Sequence, residues 1–140
     1  MLKTLGSAWV WRMARPTNAL IVDDEPHVRV YLRLLLKELG IEQTWEASNG
    51  TEALKMVAEL KPEAILLDMN MPGMSGLTVL TELAAINPFP PVIVVSSQNA
   101  AKTILECRKL GAVAYVLKHL PKNEALKMLG EGLDALDDGT

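Results

Sequence analysis

The stretch "ILLDMNMPGMSG", residues 65–76, runs three apolar residues straight into Asp68 and then breaks into Asn, Pro, Gly and Ser. A short apolar run bounded by turn residues reads as a buried strand. Asp68 then stands at its carboxyl end, where a carboxylate is costly to bury unless something pairs with it. The rest of the chain has to supply that partner.

Working outward, strand-sized apolar runs alternate with helix-length periodic stretches. Strands are expected at "ALIV" (19–22), "QTWEA" (43–47, the weakest), "AILLD" (64–68), "PVIVVSS" (91–97) and "VAYVL" (113–117). The first helix opens at Pro26, repeats Val28, Leu32, Leu35, Leu36 and Leu39 on one face, and stops at Gly40. Asn49 is the expected N-cap of a second helix with Ala53, Leu54, Val57 and Leu60 inward, closed before Pro62. A third helix is expected over 77–87, closed by Pro88. A fourth, capped by Asn99, should bury Ala101, Ile104, Leu105 and Leu110 and stop at Gly111. The last should run from Lys122 to Leu136, with Leu126, Leu129, Leu133 and Leu136 on one side. Four of the five strands are nearly all apolar, so both sheet faces are covered. The alternation implies an α/β fold of the (βα)5 kind, a doubly wound five-stranded parallel sheet with right-handed crossovers.

Bulk properties narrow the function. The 140 residues are 49% apolar, which suits one domain with a real core. A net charge of −3 argues against nucleic acid as a direct partner. The single cysteine, Cys107, excludes an internal disulfide framework and fits a reducing cytosol, hence a cytoplasmic protein. No apolar run approaches the ~18 residues that a membrane-spanning helix needs. Residues 1–18 differ in character: they carry Lys3, Arg12 and Arg15, no acid, and two of the three tryptophans, Trp9 and Trp11. Three readings compete for this basic leader: a disordered segment or misassigned start, a short amphipathic helix, or a membrane-surface anchor. Pro16 and Asn18 mark a break after it, and residues 138–140 read as a polar tail.

In an open parallel sheet, sites form beyond the carboxyl ends of the strands. The first strand ends in Asp23, Asp24 and Glu25, the third in Asp68, the fourth in Ser96 and Ser97, and the fifth in Lys118. Crowded carboxylates raise one another's pKa, and a hard divalent cation and a fixed lysine both relieve this. Few oxygen ligands fit Mg2+, which favours sites shared with phosphate. The rim therefore reads as a site for Mg2+ and a phosphoryl group, with one carboxylate free to attack phosphorus. Lys118 and the metal would neutralise charge on the transferring group, and Ser96 would hydrogen-bond a phosphoryl oxygen. Taken singly, each residue has a plainer explanation as turn, cap or solvated side chain. The combination, on four strand ends in chain order, carries the signal.

"LIVDDE", "ILLDMNMPGMSG", "VVSS" and "GAVAYVLK" together resemble the receiver domain of two-component response regulators, over residues 19–136. The resemblance implies flavodoxin-like strand order 2-1-3-4-5 and a receiver domain over 19–137. It implies that Asp68 accepts a phosphoryl group from a phosphohistidine on a sensor histidine kinase or histidine phosphotransfer protein. Asp24, and Asp23 partly through water, would hold Mg2+ beside Asp68, with the backbone carbonyl of Asn70 completing the protein ligands. Ser96 would move toward the phosphoryl group and Tyr115 would be the aromatic switch. The chain would act on itself alone rather than as an enzyme. Its output would pass to a downstream protein, because no output domain follows; helix four, strand five and helix five are the usual face for a partner or homodimer. Val30 and Leu34, apolar residues left over from the sheet-facing side of helix one, would offer a dock for a kinase helical bundle.

One departure stands out. "LKHLP" places His119 where the family usually has a proline after the lysine, with Pro121 two positions later. A cis bond before a residue other than proline costs ~2.5–4 kcal/mol, so a trans bond and a looser loop are expected. His119 and His27 read as surface residues, and Ser97 is bulkier than the Gly or Ala often found there. Two alternatives remain. One is a Mg2+-dependent aspartyl-phosphate phosphatase or phosphotransferase, although such enzymes generally carry an acid where Asn70 stands. The other is a receiver-like binding module not regulated by phosphorylation. A flavodoxin-type cofactor role is disfavoured because "DDEP" is electrostatically wrong for cradling phosphate.

Overall fold

The computed structural model describes residues 2–5, 8–11, 15–86 and 90–137, with side chains over 15–86 and 90–135. Two short strands, β1 (Leu2–Leu5) and β2 (Ala8–Trp11), pair antiparallel with Leu2 opposite Trp11 and Leu5 opposite Ala8. The leader was expected to be disordered or a short helix, and this pairing corrects that reading. The overlooked cue is Gly6-Ser7 between two runs containing Thr, Val and Trp, a dipeptide of the hairpin class flanked by strand formers.

The main sheet contains β3 (Asn18–Val22), β4 (Gln43–Ala47), β5 (Ile65–Leu67), β6 (Val92–Ser96) and β7 (Ala114–Leu117). Its order is β4-β3-β5-β6-β7, and every pairing is parallel. This is the expected 2-1-3-4-5 arrangement. The crossovers are α1 (Pro26–Glu38), α2 (Gly50–Leu60), α3 (Gly76–Ala84) and α4 (Ala101–Lys109), followed by α5 (Lys122–Asp137). The polar tail and the Pro88 stop lie outside the described residues.

Alternate residues along each strand divide the core in two. Leu20, Val22, Ile65, Leu67, Val92 and Val94 face α2, α3 and Cys107 of α4. Ala19, Ile21, Leu66, Ile93, Val95 and Val116 face Leu32, Leu35 and Leu36 of α1 and Ala125, Leu129 and Leu133 of α5. Nearly continuous apolar strands are thus explained by helices on both faces. Gly40, at φ 93°, takes the left-handed turn after α1, and Asn49 caps α2 by accepting the Glu52 N–H at 2.8 Å.

Helix α4 departs from expectation. Its N-cap is Ala100 without a side-chain bond, so Asn99 does not cap it. Leu105 is 54% exposed and Ala101 is exposed, while Cys107 is the buried residue. At 100° per residue, Cys107 shares a face with Ile104, and Leu105 lies off that face. Leu60 is likewise exposed at the last turn of α2.

The segment after Asp68 folds back tightly. Ser75 caps α3 through the Thr78 N–H at 3.2 Å, and the Gly76 N–H reaches the Met69 carbonyl at 3.1 Å. A Cβ on Gly76 would overlap the Asp68 carbonyl oxygen and come within 2.5 Å of Met69 Cα. Those are backbone atoms and cannot swing away. Gly76→Ala should therefore destabilise the fold by on the order of 3 kcal/mol, measured by urea denaturation, whereas an exposed change such as Thr78→Ala should cost far less.

Candidate functional site

The sheet ladder runs on into the residues at its carboxyl edge. The Asp23 N–H bonds the Ala47 carbonyl at 3.1 Å, the Asp68 N–H the Val22 carbonyl at 2.9 Å, and the Lys118 N–H the Ser96 carbonyl at 2.9 Å. Three strand ends then make the same local turn, in which a side-chain oxygen accepts the N–H two residues on. Asp23 Oδ1 takes the Glu25 N–H at 2.9 Å, Asp68 Oδ1 the Asn70 N–H at 3.2 Å, and Ser96 Oγ the Gln98 N–H at 3.2 Å. Short-range chemistry thus aims each side chain inward from a rigid edge.

Lys118 joins two of them. Its Nζ lies 2.8 Å from Asp23 Oδ2 and 3.2 Å from Asp68 Oδ1. The lysine side chain is 13% exposed, and the two carboxylates are 1% and 2% exposed. Asp68 Oδ2 is buried and accepts no hydrogen bond from the described residues. The carboxylate oxygens of Asp23, Asp24 and Glu25 gather within 4.8 Å of one another, with Asp24 half-buried and Glu25 exposed.

The charges are imperfectly balanced. Burial pushes the Asp68 carboxyl above its ordinary value, against the Asn70 N–H, and the Asp23 charge adds to the rise while Lys118 opposes it. Burial alone would lower Lys118, but hydrogen bonding to Asp23 and the charges of Asp68 and Asp23 outweigh it and leave the ammonium raised.

The structure brings Asp23, Asp68 and Lys118 into direct contact, and Asp24 lies beside Asp23. Ser96 is fully buried at the end of β6. Asn70 is exposed, and its side-chain oxygen accepts Gln98 Nε2 at 2.6 Å. Tyr115 is half-buried, packed on the core, and donates its hydroxyl to the Gln98 carbonyl at 2.8 Å. His27 pairs with Glu25 at 3.2 Å with most of its ring exposed, and His119 is exposed, both as read from sequence. Ser97 is exposed.

Two contributors were not legible in the sequence. Gln98 connects Ser96, Asn70 and Tyr115 through its N–H, side chain and carbonyl. Arg29 donates to the Asp23 carbonyl at 2.7 Å. The meeting of the loops after β5 and β6 reveals Gln98, and the approach of α1 to β4 reveals Arg29, although Gln98 directly follows the "VVSS" strand end.

The family model for the response regulator receiver domain matches residues 19–130, and the chain belongs to this family. It is 32% identical over 114 residues to the chemotaxis protein CheY of Thermotoga maritima, covering 81% of this chain and 95% of that one. It is 35% identical over 115 residues to the nitrate/nitrite response regulator protein NarL of Escherichia coli K12, covering 81% of this chain and 53% of that protein. It therefore spans nearly all of the first relative and about half of the second. The CheY-like receiver domain protein of Methanospirillum hungatei shares the fold, with a TM-score of 0.76 at 23% identity, covering 86% of this chain and 96% of that one.

Receiver domains bind Mg2+ through an acidic pocket, and the residues here fit such an ion. All the donors are hard oxygens, the Lys118 ammonium faces Asp23 and Asp68, and Asp68 Oδ2 is buried with no hydrogen-bond partner among the described residues. No helix among the described residues is long and apolar enough to cross a membrane.

The raised pKa of Asp68 fixes the sign of a pH effect. The protonated form favours folding, and that advantage is lost as pH rises through the folded-state value, which lies above the ordinary 3.8. In metal-free buffer, Asp68→Asn should be more stable than the wild type at about pH 8. The gain should shrink toward about pH 4, measured as paired denaturation curves across that range.

Proposed function

We propose that this chain accepts a phosphoryl group on Asp68 and uses it to switch a protein-interaction surface. The observation that carries the reading is the buried Asp68 carboxylate, held through Oδ1 by Lys118 and the Asn70 N–H and, among the described residues, without a hydrogen-bond partner at Oδ2. A buried oxygen in that state is suited to an electrophile, whether a cation or phosphorus.

The donor would be a phosphohistidine on a sensor histidine kinase or histidine phosphotransfer protein. The Asp68 oxygen forms the new P–O bond as the P–N bond breaks, and the electron pair stays with the departing imidazole. Asp24, Asp23, Asp68 and the Asn70 carbonyl would hold Mg2+, which supplies positive charge against the phosphoryl oxygens. Lys118, already beside Asp68, neutralises charge on the transferring group. Ser96 Oγ accepts the Gln98 N–H, which leaves its own proton to donate to a phosphoryl oxygen. The chain acts only on its own Asp68, because Asn70 puts no acid at the place where aspartyl-phosphate phosphatases generally carry one.

Phosphorylation adds roughly −1.5 to −2 charge and three acceptor oxygens at this rim. New contacts to Ser96 and Lys118 form only in that state, so they alone shift the equilibrium. Gln98 ties Ser96 to Tyr115 and thereby links the rim to α4 and β7. Leu105, Val113 and Met128, all exposed around α4, β7 and α5, offer a downstream protein an apolar patch. Val30 and Leu34, exposed on α1, offer the donor another.

Incubation with Mg2+ and acetyl phosphate should add one phosphoryl mass, which peptide mapping places on Asp68. Asp68→Asn should abolish it, and Lys118→Met should slow it by on the order of 100-fold. Mass addition that persists in Asp68→Asn would overturn the assignment.

A further inference from the structure

Asp23 and Asp24 lie on the turn between β3 and α1, and one side chain reaches back from α1 to hold that turn. Arg29 Nη1 donates to the Asp23 carbonyl oxygen at 2.7 Å, while its Nε donates to Glu46 Oε1 at 3.0 Å. Glu46 belongs to the edge strand β4, and Arg33 from the next turn of α1 approaches its other oxygen at 3.6 Å. The Arg29 side chain is only 16% exposed. The guanidinium is planar and rigid, so its two N–H directions are fixed relative to each other. The position of β4 is thereby transmitted to one carbonyl of the acidic turn.

That carbonyl belongs to the peptide joining Asp23 to Asp24. A peptide unit is planar, so clamping its oxygen fixes the plane from which both Cα atoms depart. It thus restrains the backbone from which both side chains leave. The Asp23 side chain is held separately by the Glu25 N–H and Lys118. For the Asp24 side chain no such bond is seen among the described residues.

We propose that Arg29, braced by Glu46, is a positioning residue for divalent-cation binding at the acidic turn. The inference rests on the Mg2+ reading of the site given above. Charge and positioning make opposite demands. A guanidinium bonded to the backbone of the acidic turn repels a cation held there, so its loss by charge alone would tighten Mg2+ binding. Its loss as a positioning group loosens binding, because the acids no longer point to a common centre.

The test is calorimetric titration of Mg2+ into the full chain, wild type against Arg29→Lys and Arg29→Met, with metal-free thermal melts of each. Arg29→Lys keeps the charge and loses the fork, and should weaken Mg2+ binding roughly 10-fold. Arg29→Met should weaken it at least as much, despite making the site more negative. Glu46→Gln keeps an acceptor for Nε and should hold affinity within about threefold of wild type, whereas Glu46→Ala, with the same charge and no acceptor, should weaken it roughly 10-fold; equal affinities in the two would overturn the inference even if the Arg29 variants fail to fold. A merely structural brace would lower the metal-free melting temperature of the Arg29 variants and leave Mg2+ affinity unchanged or tighter. That result overturns the inference while leaving the Mg2+ site standing. Wild type that binds no Mg2+ overturns both.

Discussion

The ammonium of Lys118, held between the buried Asp23 and Asp68, is the contact around which the carboxyl edge of the sheet is arranged. Two carboxylates that deep in the protein repel each other and lose their hydration, and one lysine only partly offsets this. Its position comes from the topology. β3 and β5 are neighbours that end in Asp23 and Asp68, and β7 lies two strands from β5. The lysine, following β7, has a stem long enough to cross β6 to the acids. Strand order 2-1-3-4-5 thus makes the site as much as the residues do.

The incomplete balance has a functional meaning. A pocket fully neutralised by its own side chains would have little use for a cation or a phosphoryl group. Here the Asp68 carboxyl is pushed up by burial, the Asp23 charge adds to it, and one of its oxygens has no hydrogen-bond partner among the described residues. That is stored electrostatic strain of the kind found at sites that bind and react. The apolar strands and the helices on both faces hold the acids in place while leaving the strain unrelieved.

The sequence was most readable where local chemistry dominates. Apolar runs locate the strands of the main sheet, Gly40 and Asn49 mark helix ends that the structure bears out, and the polar residues at the strand ends stand out directly after those runs. It was least readable where distant segments decide the outcome. Leu105 looked as good a core residue as Ile104, but the short α4 turns Cys107 inward. Asn99 is a good cap by type, yet Gln98 is tied at its N–H, carbonyl and side chain, and the helix starts only after Ala100. Arg29 and Glu46 are ordinary charges of a solvated helix and strand until α1 and β4 bring them together. The leader was read as disordered, a short helix or a membrane-surface anchor, whereas Gly6-Ser7 separates two runs that pair as β1 and β2.

The central claim is that Asp68 is a buried carboxylate short of positive charge. Carbon-13 NMR of its side-chain carboxyl, followed across pH in metal-free and Mg2+-containing buffer, tests this directly. Titration above the ordinary aspartate value without metal, drawn down when Mg2+ is added, is the result expected. Titration at or below the ordinary value, with no response to Mg2+, would contradict it.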